Sequence, residues 1–309
     1  MTPPGPPEPR GPLGTPIRRT AAAALAVLAV LVIALLGDSL AQTGTGELEI
    51  PAAGGITVLR LLVVTALAVH IGELAGVRMA GDGPLPRRWS LPAAVTGFAA
   101  SAGLLVLLSA LSGLKLSTVY GLREGRLLLI TANAFVLAAL CAATRHHDLA
   151  TLPLAAAVGA EAMRAHPETY SPAVGISLTV VHLTAASLWF GTLLYVLRTI
   201  RLRGGGRDVL LRYARMAGWL FAALAVTGTF STLRRLPLDG LFTTAYGRVL
   251  LVKLALFGVT ALLALTARRR LMRGADAQPP ARVELGVLGA VVVVSALLTV
   301  VPDPHWLLP

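Results

Sequence analysis

The chain has few charged residues, few aromatic residues and almost no cysteine. Of its 309 residues, 14% are charged and 5% are aromatic, whereas about a quarter of the residues in ordinary globular proteins are charged. So few ionisable groups leave long stretches with none, which excludes a typical water-soluble chain of one or two domains. Cys141 is the single cysteine. An intrachain disulfide is therefore excluded, and its apolar neighbours indicate a buried structural thiol.

The common catalytic motifs are also missing. The sequence contains no HExxH, CxxC, Walker loop or GxSxG motif, and it shows no evident pair of nucleophile and base. We therefore expect no enzymatic activity. The net charge of +12 would suit a nucleic-acid partner. The arginines, however, lie in short clusters between apolar runs, which is typical of membrane topology signals. We expect a lipid bilayer as partner and no nucleic acid.

Long apolar runs are the dominant feature of the sequence. A run of about 20 residues is long enough to cross a bilayer core of about 30 Å as a helix, and backbone groups in hydrocarbon must be paired internally. The pattern predicts an all-α fold, a polytopic transmembrane helical bundle of about nine helices. The predicted spans are 18–37, 56–79, 91–112, 126–144, 149–165, 173–198, 209–233, 246–268 and 283–301. The fifth is the shortest and ends in charged residues.

The chain divides into four parts. Residues 1–16, rich in proline and glycine, predict a disordered tail. Residues 17–150 form an N-terminal membrane region of unrecognised role, residues 151–301 a second membrane region, and residues 302–309 a short outer tail. Arg18 and Arg19 before the first apolar run resemble a signal peptide, but the length of the run favours an uncleaved first helix.

The basic residues predict an orientation. If the N-terminus is cytoplasmic, about two thirds of the 27 lysines and arginines lie on that side, as the positive-inside rule requires. They cluster near residues 10–19, 78–88, 145, 198–215 and 268–282. Nine spans then place the C-terminus outside the cell.

Ionisable and sulfur-bearing residues inside spans are functional candidates, because such groups are costly in a membrane. The candidates are His70, Glu73, Glu161, Met163, His166, His182 and Lys253, with Trp189 on the same helix face as His182. His70 and Glu73 could form a buried polar pair with no ligand. Glu161 could form an ion pair with Arg164 three residues later, Met163 could simply pack, and Lys253 could snorkel outward.

Imidazole and thioether groups are ligands for copper, and imidazole also suits zinc and iron. A short outer loop joins the fifth and sixth predicted helices, so His182, His166 and Met163 could form a metal site in the outer half of the bundle. Glu161 would then supply charge at its entrance. His70, Glu73 and Lys253 could lie at the entrance or around the ligands, and Trp189 could shield the site by packing.

Three ordered motifs resemble the copper-resistance protein D (CopD) family. The first is VVHLTAASLWFG, with His182, Trp189 and Gly191. The second spans residues 210–236, with an arginine-rich start of the helix and a Thr-Gly pair before its outer end. The third is T-x-YG-R-x-L-x-x-K, which runs from Thr244 to Lys253. The resemblance covers about residues 155–301.

This resemblance implies a multi-pass protein of the bacterial cytoplasmic membrane that handles copper and moves it inward. It also implies an extracytoplasmic copper-binding protein as a partner that delivers the ion. One feature departs from the family, which often has Gly-His near the outer end of the preceding helix. Here Gly159 is followed by Ala160 and Glu161, and a histidine comes only at His166.

Two other functions stay open from the sequence. The protein could bind haem or transfer electrons, with His70 and His182 as axial ligands from two helices. It could also be a noncatalytic scaffold whose buried polar groups only hold helices together. A Soret band would indicate the first, and a purely structural effect of His182→Ala the second.

Overall fold

The computed structural model describes residues 15–144, 146–165, 171–234, 236 and 238–302. These residues form ten α-helices and two 3₁₀ turns and contain no strand. The helices are α1 Thr15–Gln42, α2 Ala53–Ala80, α3 Ser90–Ser112, α4 Leu116–Val119, α5 Arg123–Ala143, α6 Thr151–Ala165, α7 Pro172–Arg203, α8 Arg207–Leu233, α9 Ala245–Met272 and α10 Gln278–Leu298. The all-α polytopic bundle predicted from the sequence is confirmed.

Local sequence explains several helix ends. Helix α7 starts with Pro172 in its first turn, where a missing backbone N–H costs nothing. It ends at Gly204, whose φ of 66° is a left-handed conformation that glycine adopts without strain. Helix α9 begins at the cap residue Thr244, whose hydroxyl accepts a hydrogen bond from the backbone N–H of Gly247 at 3.0 Å.

Among the described residues, eight helices are long and apolar enough to cross a membrane: α1 from Ala24, α2, α3, α5, α7, α8, α9 and α10. The fifth predicted span, 149–165, falls short of this length. It forms a 3₁₀ turn, His147–Ala150, followed by the 15 residues of α6, which rise about 22 Å. The nine predicted spans are thus present as nine helices, of which eight meet the length of a span.

Helix α6 nevertheless connects the two ends of the bundle. Arg78, at the end of α2, pairs with Asp148 before α6 at 2.7 Å. At the other end, Arg123 at the start of α5 donates to the carbonyl of Met163 at 2.8 Å. The chain therefore changes ends at each of the nine long helices, and the two ends of the described chain lie at opposite ends of the bundle.

One end of the bundle carries most of the arginines, and we call it the arginine-rich end. Here α2, α5, α7 and α9 end and α3, α6, α8 and α10 begin. Its basic residues include Arg78, Arg87, Arg88, Arg201, Arg203, Arg207, Arg212, Arg268, Arg269, Arg270, Arg273 and Arg282. We call the other end the opposite end. The division follows the positive-inside pattern, which predicts that the arginine-rich end is cytoplasmic.

The interior consists of two main clusters. The first fills the space between α2, α3, α5 and α6 and includes Phe135 and Leu67. The second fills the space between α7, α8, α9 and α10 and includes Trp189 and Leu193. Many large apolar side chains, such as Leu262 and Trp219, are exposed on the outside, as expected for a surface that faces lipid rather than water.

Helices α2 and α7 hold the two clusters together. They run parallel and cross where Gly191 lies directly against Gly72, while Tyr195 packs on Gly76 one turn further along. A side chain at Gly191 would overlap backbone atoms of α2. Small residues permit this close approach of two helices, and the crossing fixes the level of every polar group on α7 relative to α2.

Candidate functional site

His182 lies half-buried in the half of α7 nearer the opposite end. Its Nδ1 is 2.9 Å from the hydroxyl oxygen of Thr227 on α8. The Thr227 hydroxyl donates its own proton to the carbonyl of Ala223 at 2.7 Å, so it accepts from Nδ1–H of His182. This arrangement fixes the ring and leaves the lone pair of Nε2 available, as in histidines that bind metals.

The surroundings of the His182 ring are small and partly positive. A side chain at Gly228 would come within 3.7 Å of the ring carbon Cε1, so the glycine keeps this side of the ring free of bulk. Lys253, half-buried on α9, interacts electrostatically with His182. A positive neighbour weakens the binding of a cation to the ring, which favours passage over tight storage.

Glu161 forms the ion pair that its spacing predicts. Its carboxylate oxygens lie 2.8 and 2.9 Å from the same guanidinium nitrogen of Arg164, and Arg164 also pairs with Glu124 of α5 at 2.8 Å. The Arg164 side chain is 4% exposed. Burial alone would lower the pKa of this guanidinium, but the two carboxylates outweigh it and raise the pKa. The charge of Glu161 is therefore largely compensated at the bundle end.

Met163 and His182 do not share one site in this structure. Met163 is 40% exposed and lies near the end of α6 at the opposite end. His182 lies ten residues below the start of α7 at Pro172, which corresponds to a depth of about 15 Å. His166, the third predicted ligand, lies outside the described residues.

His70 and Glu73 are both buried in α2, 1% and 5% exposed respectively, but they do not bond to each other. Oε2 of Glu73 accepts a hydrogen bond from the backbone N–H of Trp89 at 2.8 Å, at the start of α3. Oε1 of Glu73 and Nδ1 of His70 have no hydrogen-bond partner. Glu73 thus stabilises the start of a neighbouring helix, and the predicted polar pair does not form.

The register of α2 and α7 separates His70 from His182. Because Gly72 meets Gly191 and the helices are parallel, His70 lies near the level of Trp189. His182 is seven residues earlier in α7, about 10 Å away along the axis. It also turns towards Thr227 of α8. The two rings therefore do not lie on either side of a common point, as axial ligands of one haem would require.

Trp189 is completely buried at the centre of an aromatic cluster. Its ring meets Phe221 of α8 and Phe257 of α9 edge-on, with ring centroids 6.1 and 6.3 Å away. The rings of Phe221 and Phe257 stack on each other at 5.0 Å. This cluster fills the middle of the space between α7, α8 and α9.

Glu284 of α10 is the residue that the sequence did not single out. It is 1% exposed, and its Oε1 accepts hydrogen bonds from Nε1 of Trp189 at 2.9 Å and from the hydroxyl of Tyr213 at 3.0 Å. It lies beside a cavity of about 260 Å³. The sequence signal that could have identified Glu284 is a carboxylate between Val283 and Leu285, among the first residues of an apolar run.

Along the length of helices α7 to α10, two levels of polar groups lie on either side of one aromatic layer. On the side of the opposite end lie His182, Thr227 and Lys253, and on the side of the arginine-rich end lie Glu284 and Tyr213. The aromatic cluster of Trp189, Phe221 and Phe257 lies between the two levels. This order follows from the direction of each helix, and it gives two polar levels separated by an apolar barrier.

A closed metal site is not formed by the described residues. Within the described ranges, no group of three or more His, Cys, Asp or Glu side chains lies close enough to hold a metal ion. Strong structural metal sites use such groups. An ion that passes through this bundle would therefore meet few ligands at any one level.

Comparison with known proteins adds the deciding observation. Residues 207–301 match the family described as copper resistance protein D. For this similarity we call residues 207–301 the CopD segment. The resemblance drawn from the sequence is thereby confirmed for these residues. No curated protein and no solved structure matches the chain.

The CopD segment covers α8, α9 and α10. It includes the second and third motifs, Lys253, and the Tyr213 and Glu284 pair beside the cavity. Helix α7, with His182 and Trp189, lies outside the match and reaches the segment through the hydrogen bonds to Thr227 and Glu284. The similarity of this segment to copper resistance protein D and the eight candidate spans among the described residues support a multi-pass membrane protein related to copper resistance.

Proposed function

We propose that this protein carries copper ions across the bacterial cytoplasmic membrane, from the opposite end towards the arginine-rich end. The observation that carries the proposal is the match of α8 to α10 to copper resistance protein D. In this proposal copper is the transported substrate, and an extracytoplasmic copper-binding protein delivers it.

The ligands act in sequence rather than as one cage. Met163 and His166 receive the ion at the opposite end, where Met163 is exposed. His182 binds it next through Nε2, because Nδ1 is occupied by the hydrogen bond to Thr227. Few ligands at each level hold the ion weakly enough for release. Thioether and imidazole groups suit copper, and imidazole also suits zinc.

The test is copper accumulation by cells, together with metal analysis of the purified protein. We expect His182→Ala to lose most copper uptake and the copper retained on purification. His146→Ala is the matched control, since His146 is exposed and lies off the proposed path. Both variants are quantified in the membrane fraction, so that a loss of protein is not mistaken for a loss of transport.

Three outcomes distinguish the alternatives. Unchanged uptake and copper content in His182→Ala overturn the proposal. A Soret band in the purified wild-type protein that His182→Ala abolishes indicates haem binding instead. If His182→Ala reduces the uptake of zinc but not of copper, the protein is a transporter whose substrate is zinc.

A further inference from the structure

Glu284 is a buried carboxylate held by neutral donors. It lies in α10 with 1% exposure, and both donors, the Trp189 N–H and the Tyr213 O–H, point to the same oxygen, Oε1. Helix α10 is one of the candidate membrane spans. Two hydrogen bonds from neutral groups orient a carboxyl group, but they do not neutralise its charge.

The second carboxylate oxygen of Glu284, Oε2, does not share the two donors that bond to Oε1. It makes no hydrogen bond to the described residues, and it is not among the buried polar atoms that lack a partner. Glu284 also lines the cavity of about 260 Å³ between α7, α8, α9 and α10. Oε2 is therefore the oxygen that the cavity can reach.

No described cation lies within ion-pair distance of Glu284. The ionisable side chains that line the same cavity are Tyr213 from α8 and Arg268 from α9. Helix α7 contributes the neutral indole of Trp189. On α10 itself, Arg282 bonds to Gln278. Among the described residues no ion pair includes Glu284, and an unpaired carboxylate at this depth is costly.

A proton fits this position better than a metal ion. Metal ions in proteins take about four or more ligands, whereas the cavity is lined mainly by alanine and leucine beside Glu284 and Tyr213. The Tyr213 hydroxyl already donates to Oε1. A proton needs only the one oxygen, Oε2.

The cavity borders the arginine-rich end of the bundle. Arg268 lines the cavity and is itself exposed at the arginine-rich end. On the other side, the rings of Trp189, Phe221 and Phe257 separate the cavity from the level of His182. A proton on Oε2 can thus exchange with one end of the bundle and not directly with the other.

We propose that Glu284 is a proton-binding site that carries its proton on Oε2 and exchanges it through the cavity with water at the arginine-rich end. When a copper cation arrives at this level, the O–H bond of Glu284 breaks, its proton passes to water in the cavity, and the carboxylate balances the charge of the ion. Departure of the ion lets water return a proton to Oε2. The coupling to copper rests on the proposed function, whereas the proton site does not.

The proton site is tested by infrared difference spectroscopy of the full-length protein in lipid vesicles during a pH titration. We expect a band from a protonated carboxyl group that is present in the wild type and lost in Glu284→Gln. Glu49→Gln is the matched control, because Glu49 is exposed. Tyr213→Phe keeps the carboxyl group but removes one hydrogen bond to Oε1, so the band should shift. Identical spectra for wild type, Glu284→Gln and Tyr213→Phe overturn the site.

The coupling is tested in vesicles that contain a pH-sensitive dye and receive copper from outside. Because Glu284 exchanges its proton with one end of the bundle only, we expect a transient acidification of the interior when copper enters through wild-type protein whose arginine-rich end faces inwards, without net proton transport. This transient should be absent in Glu284→Gln. Copper uptake with no proton movement in the wild type overturns the coupling and leaves transport intact. A wild type that takes up no copper overturns the transport proposal, while the infrared titration still decides the proton site.

Discussion

Gly191 of α7 and Gly72 of α2 bring two helix backbones into direct contact. A side chain on either residue would overlap backbone atoms of the other helix, and backbone atoms cannot rotate away as a flexible side chain can. This contact joins α2 to α7, and α7 in turn bonds to Thr227 and Glu284 of the CopD segment. The comparisons give no match for α2 or α7.

We expect Gly191→Ala to destabilise the bundle. Inserting a methyl group into a packed interior costs about 1–3 kcal/mol where neighbours can adjust, and here the neighbour is backbone. Thermal unfolding of the detergent-solubilised protein measures the effect. Gly258→Ala is the control, because a side chain at Gly258 would meet nothing within 4 Å. Equal unfolding temperatures for the two variants would contradict the close crossing.

The hydrogen bond between Trp189 and Glu284 predicts a loss on Trp189→Phe. The phenyl ring keeps most of the aromatic contacts with Phe221 and Phe257 but removes the N–H donor, and one unmade hydrogen bond to a buried group costs about 1–3 kcal/mol. Chemical denaturation in detergent measures this loss of stability.

Tyr213→Phe removes the other donor to the same oxygen, so the pair forms a double-mutant cycle with Trp189→Phe. We expect the two losses to be non-additive, since both donors act on Oε1. Strict additivity would show that the two donors act independently of each other and would contradict this coupling through Oε1.

The hydrogen bond from His182 to Thr227 predicts an intermediate transport defect in Thr227→Val. Valine keeps the shape of threonine but no longer accepts from Nδ1, and losing the group that orients a ligand lowers metal affinity by about 10-fold or more. Copper uptake should fall between that of the wild type and that of His182→Ala. Thr266→Val, an exposed threonine of α9, is the control. Wild-type uptake in Thr227→Val would show that this hydrogen bond does not matter.

Arg164 predicts a strong electrostatic effect at the opposite end of the bundle. Arg164→Met leaves Glu161 and Glu124 without their shared cation, and breaking a buried ion pair costs about 3–5 kcal/mol. The exposure of Glu124, 39%, places the effect at the lower end of that range. Thermal unfolding measures the loss, with Arg126→Met as the exposed control.

A charge-neutral double variant separates charge from packing at this site. We expect Arg164→Met combined with Glu161→Gln to recover part of the stability, because one of the two unpaired carboxylates is gone. No recovery in the double variant would indicate that Arg164 acts by packing alone.

The distribution of arginines predicts which end faces the cytoplasm. In a Cys141→Ser background, Thr43→Cys lies exposed between α1 and α2 at the opposite end, and Asp276→Cys lies exposed between α9 and α10 at the arginine-rich end. A membrane-impermeant thiol reagent should label Thr43→Cys in intact cells and Asp276→Cys only after permeabilisation. The reverse pattern would invert the orientation.

The positions of the helices were predictable because hydrophobicity is a local property. Each predicted span corresponds to a helix, and all but α6 are long enough to cross a membrane. The Glu161–Arg164 ion pair was predictable because its partners are three residues apart. The sequence showed α6 as a short apolar run. Its length alone did not indicate that this helix still connects the two ends of the bundle. The first predicted span starts later than α1, which begins at Thr15.

The partners of the polar residues were not predictable, since they depend on how distant helices align. Trp189 and Glu284 are 95 residues apart, and their contact requires the register of α7 against α10. Sequence spacing placed Trp189 on the face of His182 but gave no sign of the carboxylate opposite it. Likewise, His70 and Glu73 share a helix region, yet Glu73 bonds to the start of α3.

The first and last helices of the described chain lie side by side. Gly37 of α1 packs on Leu297 of α10, and Arg248 of α9 donates to the carbonyls of Ala41 and Thr43 at the end of α1. During synthesis, α1 can pack on α2 first, where Gly54 lies against the backbone of Leu35. The part of its surface that meets α9 and α10 stays uncovered until those two helices have left the ribosome. Closure of the bundle is then a late step, and a truncation that removes α10 should leave α1 exposed to the quality-control proteases of the membrane.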